Sequence, residues 1–186
     1  MKPLSITAFL LSIIVFRMEK KQRSLLVELL ILLLQAGAIV LILINFVLIP
    51  CVVEGSSMYP NLEAGDFGYS FILTKNLGLK RFDVVVIKTS DSSSKLIVKR
   101  VIGLPNETVE YIDNCLYING EYIEEPFLVD AYTSDFTEKL GSDEYFCMGD
   151  NRAVSRDSRF YGPFESKMIR SSHLFIIYPF NRIGFR

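Results

Sequence analysis

The chain of 186 residues carries 20 basic and 21 acidic side chains, one histidine, three cysteines and no tryptophan. That length holds one ordinary globular domain plus a short additional segment and excludes two full domains beside one. The near-neutral charge forms no basic stripe, which argues against a nucleic-acid partner, and one histidine without a paired-cysteine motif argues against a metal site.

The charge is unevenly placed. Residues 1–50 hold five basic and two acidic side chains, a charge of +3, whereas residues 51–186 hold 15 basic and 19 acidic ones, a charge of −4. In chain order, Pro3 to Phe16 is apolar but short for a membrane-spanning helix. Three readings fit it: an interfacial segment, a thin first span, or a stretch ahead of a natural start at Met18. The last is favoured, so residues 1–17 are expected to be missing from the natural chain. Residues 17–24 are basic, and the run LLVELLILLLQAGAIVLILINFVLIP follows from Leu25 to Pro50. At about 1.5 Å per helical residue it would span about 39 Å, enough to cross a hydrocarbon core of about 30 Å with some tilt. The basic flank predicts a cytoplasmic N-terminal side, with residues 51–186 outside and a single pass through the cell membrane. Ala36-Gly-Ala38 resembles a signal-peptide cleavage site, but the apolar stretch continues well past it, which predicts an uncleaved anchor.

Beyond Pro50 the helical period disappears. FGYSFIL, DVVVIK, KLIVKRVIGLP, ETVEYI, CLYI, YFCM and HLFIIYPF are short β-branched and aromatic runs separated by turn residues. They predict a mainly antiparallel β domain, with Asn119-Gly120 as a hairpin turn and residues 126–143 as a long surface connection. Cys115 and Cys147 lie in the outer domain, where an oxidising location permits a bridge that their spacing cannot establish.

Three segments are chemically suggestive. Residues 53–62, VEGSSMYPNL, place two serines just after the apolar run. His173, the one histidine, lies in a predicted strand and reads as a structural or surface residue, so a serine nucleophile needs another base. Lysine can serve where burial lowers its pKa towards neutrality. Lys99 lies in LIVKRVI with Ile97 and Val101 on its face, whereas Arg100 shares the other with Val98 and Ile102. Alternation does not choose between the two cations, but arginine does not give up its proton. Residues 148–162, MGDNRAVSRDSRFYG, concentrate acids, arginines and hydroxyls into one polar network.

These segments, taken in order, resemble the boxes of bacterial type I signal peptidases, the membrane-anchored Ser/Lys endopeptidases; GDF at 65–67 and KRFDVVVIK at 80–88 resemble the segment between them. The resemblance implies a mainly β, antiparallel sheet or barrel-like catalytic domain at residues 51–186 behind a transmembrane helix at 25–50. It implies Ser57 as nucleophile, since that serine directly precedes methionine, and Lys99 as general base. The Ser57 backbone N–H would contribute to an oxyanion hole, and Ser155 would hydrogen-bond and orient the lysine. Asp157 and Arg159 match a supporting ion pair, and Gly149, Asp150, Asn151 and Arg152 match a shaped turn. The carboxylate facing Arg100 stays open, as does the second oxyanion donor, because Gly55 stands where some relatives carry a serine. By position, Val53, Met58, Leu62 and Ile97 are expected to line a −1 pocket, and Cys51 and Val98 a −3 pocket. The implied substrates are the signal peptides of exported preproteins, cut after Ala-x-Ala, with no cofactor and no metal. The implied partners are a lipid bilayer and the neighbourhood of the export translocon. A self-cleaving Ser/Lys repressor would need a DNA-binding domain where this chain has an anchor. A catalytically silent β domain would not need both Ser57 and Lys99.

Overall fold

A computed structural model describes residues 6–42, 47–73, 78–89, 95–128 and 131–186. The polar turn expected around residues 90–94 lies outside them. The chain divides into two units, Met1–Asn45 and Phe46–Arg186.

The first unit is a helix, α1, Ile6–Ile42. Its stretch Ser24–Ile42 is 19 residues long with a mean hydropathy of 2.7 and no buried residue. At about 1.5 Å per residue that stretch is about 28 Å long, matching a bilayer core. An apolar surface all round a helix with no protein cover is what a membrane span presents. The expected anchor ran on to Pro50, but Leu48–Val52 is a strand, so the last residues of the apolar run belong to the sheet. Apolar character alone does not separate the end of a span from a half-buried strand.

The second unit contains β1 (Leu48–Val52), β2 (Phe67–Phe71), β3 (Val84–Lys88), β4 (Leu96–Gly103), β5 (Thr108–Ile112) and β6 (Cys115–Ile118). It continues with β7 (Glu121–Ile123), β8 (Phe136–Lys139), β9 (Glu144–Met148), a one-turn helix α2 (Ser158–Tyr161), β10 (Phe164–Glu165), β11 (Ile169–Tyr178) and β12 (Gly184–Phe185). All strand pairs are antiparallel. The larger sheet runs β1-β2-β11-β3-β4-β9-β10 with β12 beside β11, and the smaller runs β7-β6-β5-β8.

Burial on both faces explains the unbroken VVVI of β3. Val84 and Val86 join a core with Val53, Met58, Leu62, Leu174 and Ile176, whereas Val85 and Ile87 join another with Val101, Cys147, Phe164 and Ile169. The small sheet closes a third core around Val109, Tyr111, Leu116 and Phe146. Its hairpins use left-handed residues where the sequence has them, Asp113-Asn114 and Asn119-Gly120, as two-residue turns demand. Residues 126–143 are more than a connection. β8 lies within them and pairs with β5, because Phe136 packs against Tyr111 at 5.2 Å and Phe146 at 5.3 Å between ring centroids.

Candidate active site

The loop from Val53 to Asp66 carries Ser57. It is closed at its base by two backbone hydrogen bonds, from Val53 N–H to the Asp66 carbonyl and from Gly65 N–H to the Val53 carbonyl. Met58 and Leu62 plug it into the core, and a guanidinium holds its C-terminal side. Arg182 donates from Nε to Asp66 Oδ1 at 2.9 Å and from Nη1 to Glu63 Oε1 at 2.8 Å. Gly55, three residues after the strand, has φ +76°, a left-handed backbone that favours glycine over serine.

Lys99 reaches this loop from β4. β4 lies between β3 and β9 in the sheet, apolar cores pack on both of its faces, and both Lys99 and Arg100 are buried. Lys99 Nζ hydrogen-bonds to Ser57 Oγ at 2.7 Å. Its amine is pushed down from its ordinary value of 10.5 to about 8, first because burial penalises the ammonium. The carboxylates of Asp157 and Asp150 work against that shift, and the Arg159 charge works with it. Each carboxylate is clamped by an arginine, which weakens its hold on the lysine.

Arg100 faces Asp150. The contact is bidentate, Nε to Oδ1 at 2.8 Å and Nη2 to Oδ2 at 2.7 Å, and Nη1 donates to the Phe82 carbonyl. Asn61 also donates to Asp150 Oδ2, and the Phe127 ring stacks under the guanidinium at 4.2 Å. Asp157 caps α2 and takes Arg159 Nε on Oδ1 and Nη2 on Oδ2, both at 2.9 Å. Burial alone would raise its carboxyl, but the Arg159 hydrogen bonds and the Gly149 N–H outweigh that and hold it below the usual carboxylate range. Arg152 is buried against Glu125 and the Tyr111 hydroxyl and donates to the Gly149 carbonyl. Gly149 fits where a side chain would not, since a Cβ there would meet Ser155 Oγ and the Ser57 carbonyl. Asn151 N–H donates to that same carbonyl at 3.0 Å.

The structure thus brings together Ser57, Lys99, Arg100, Asp150, Asn151, Arg152, Asp157 and Arg159. Ser155 is placed nearby but differently from expectation. Its buried hydroxyl lies near enough to the Asp157 carboxylate to help hold that carboxyl down, though not in hydrogen-bonding geometry, and Lys99 Nζ bonds to Ser57 instead. A cleft of about 470 Å³ opens beside the Ser57–Lys99 pair, lined by Val53, Ser57, Met58, Ile97, Val98 and Lys99 among others. Cys51 and Leu62 do not line it; they are core residues packed with Val53 and Met58. All three cysteines are free, with Cys115 on the small sheet and Cys147 on the large one. His173 lies on β11, its Nε2 3.6 Å from Asp83. Glu125, Tyr111 and Thr133 around Arg152, and Phe127 under Arg100, are supporting residues that sequence reasoning missed. They lie on or between short strands and in the long connection, where no local signal marks them as partners of residues far away in the chain.

A family model described as signal peptidase, peptidase S26, matches residues 26–178. Signal peptidase I S of Bacillus subtilis (strain 168) is 39% identical over 162 residues, covering 80% of this chain and 86% of that protein. Signal peptidase I of Bacillus licheniformis is 37% identical with the same coverage of each chain. Signal peptidase I V of Bacillus subtilis (strain 168) is 40% identical over 67% of this chain and 83% of its own length.

Proposed function

Because the chain belongs to the signal peptidase family, peptidase S26, whose members are serine peptidases, we propose that it removes signal peptides from exported preproteins with Ser57 as nucleophile and Lys99 as general base. The observation that carries this reading is the 2.7 Å contact between Ser57 Oγ and a buried Lys99 whose amine is pushed down to about 8. At pH 7 about a tenth of such lysines are neutral and able to accept a proton.

The neutral amine takes the Ser57 proton as Oγ attacks the scissile carbonyl, and the ammonium then returns it to the departing amine. The developing oxyanion is met by the Ser57 N–H. Water repeats the cycle on the acyl-enzyme, with Lys99 again the base. The ion pairs at Asp150 and Asp157 fix the loop from Met148 to Gly162 against Ser57, and Ser155 is left to orient the lysine once substrate excludes water.

Substrate enters extended. Among the described residues the outer edge of β1 is unpaired in the sheet, and β9 covers β4 only from Arg100 onward, so Leu96–Val98 also offers a free edge. Such edges accept an added strand, with alternate side chains falling into pockets. Val53, Met58 and Ile97 would bound the −1 position and Val98 the −3 position, where overlap excludes anything much larger than alanine. The helix Ser24–Ile42 would anchor the enzyme in the cell membrane with residues 51–186 outside, near the export translocon, where precursors present their cleavage sites.

The test is cleavage of a preprotein with an Ala-x-Ala junction by wild type, Ser57→Ala and Lys99→Ala. Wild type is expected to release the signal peptide and both variants to lose at least about a thousandfold in rate. An inert wild type, or a variant that keeps its rate, overturns the reading.

A further inference from the structure

A second cleft adjoins the Ser57 loop. It has a volume of about 440 Å³, and its walls include Tyr59, Pro60, Tyr132, Asn151 and Ala153. It shares no lining residue with the cleft beside Lys99. We propose that this second cleft is the subsite for the mature side of the substrate, taking a large apolar or aromatic side chain from one of the first two residues after the scissile bond. The inference rests on the peptidase reading above and names a specificity determinant of that same site.

Three observations carry it. The first is position. Tyr59 and Pro60 follow Ser57 by two and three residues, and Asn151 donates its N–H to the Ser57 carbonyl itself. A substrate whose signal side fills the first cleft must continue past Ser57, and an extended chain advances about 3.3 Å per residue. One or two residues beyond the cut it meets this wall. The second is charge. The two ionic walls are already engaged, Asp150 by Arg100 and Asn61 and Arg152 by Glu125 and Tyr111. They stiffen the cleft and offer no free charge to a ligand, so a charged side chain gains nothing there. The third is the pair of aromatic rings. Tyr59 is 53% exposed and Tyr132 is 71% exposed, and among the described residues neither stacks on another ring. Exposed tyrosines supply large, stiff contact area to an incoming side chain, and aromatic pairs add to simple burial.

The two clefts therefore select in opposite senses. The clefts are similar in volume and differ in lining: the first, walled by Val53, Met58, Ile97 and Val98, carries the small-residue positions of the reading above, whereas the second is ring-lined and rewards apolar size. A precursor would be read for smallness before the cut and for apolar size just after it.

The test uses the full-length enzyme in detergent and peptides sharing one Ala-x-Ala signal side, with alanine, phenylalanine or glutamate at the first or second position after the cut. Wild type is expected to favour phenylalanine over alanine in kcat/KM by roughly threefold to tenfold at one of these positions, and glutamate not at all. Tyr132→Ala and Tyr59→Ala should bring that ratio close to one. Tyr122→Ala, an exposed tyrosine of the small sheet outside the cleft, should keep the wild-type ratio. Equal cleavage of all peptides by wild type, or a ratio that survives in both cleft variants, overturns this inference alone. Failure of wild type to cut any peptide overturns the peptidase reading and this one with it.

Discussion

Lys99 and Arg100 are adjacent cations on one buried strand, and their surroundings separate their roles. The Arg100 guanidinium is held by Asp150, the Phe82 carbonyl and the Phe127 ring. Lys99 has a serine hydroxyl as its partner, and burial drives its amine down. The buried Cys147 thiol is pushed up, so it stays neutral beside the amine. A pH dependence follows. In the proposed mechanism the reactive form is the neutral amine, so below about pH 8 the rate should rise about tenfold per pH unit and level off above it. A rate profile of kcat/KM on a soluble peptide, measured for wild type and His173→Ala, checks this. The two profiles should coincide; an acid limb near the ordinary histidine value that vanishes in His173→Ala would assign the base elsewhere. At this scale the sequence was informative about chemistry and silent about partners. Strand alternation left Lys99 and Arg100 equivalent, and only the inability of arginine to deprotonate told them apart. The partner of Arg100 depends on how β4 and β9 align, a register that no local pattern encodes.

The loop between β9 and α2 shows how one element positions another. Its charged groups point in different directions: Asp150 to β4, Arg152 to Glu125 and the small sheet, and Asp157 back onto Arg159 and the Gly149 N–H. The density of polar residues in MGDNRAVSRDSRFYG signalled such a network, but Glu125 and Tyr111 come from segments whose pattern reads as hairpin alone. β8 was illegible for a related reason, since a four-residue strand becomes recognisable only when Phe136 finds Tyr111 and Phe146. The end of the apolar run was misjudged because leucine-rich chain suits a span and a strand equally. Where this loop meets Ser57, Gly149 leaves no room for a side chain. In Gly149→Ala the new methyl would press on the Ser57 carbonyl and the Ser155 side chain, and backbone has to yield. Displacement of a nucleophile by about 1 Å costs on the order of a hundredfold in rate. The variant should therefore lose about that factor in kcat with KM changed little, as steady-state kinetics on the peptide substrate will show. A wild-type kcat would mean that the loop does not set the position of Ser57.

On the scale of the whole molecule, the proposed chemistry and the proposed anchor reside in different stretches of chain. Among the described residues, the three hydrophobic cores and every ion pair named above fall within 46–186, whereas Ser24–Ile42 buries nothing. Nothing in the proposed mechanism uses a residue of the helix, so its contribution should be concentration. An enzyme and a precursor held in one bilayer meet at an effective concentration set by the membrane rather than by the bulk solution. Removing residues 1–45 separates the two contributions. The remaining chain should cleave a short soluble peptide at close to the full-length rate. Against a precursor reconstituted in lipid vesicles, at equal bulk concentration, it should fall behind by about a hundredfold. Paired assays of the two proteins on the two substrates read this directly. If truncation slows both substrates alike, the helix supports the folded domain itself; if it slows neither, the β domain reaches the bilayer by its own surface. A loss confined to the membrane-bound precursor would place the helix in substrate capture and leave the chemistry to residues 46–186.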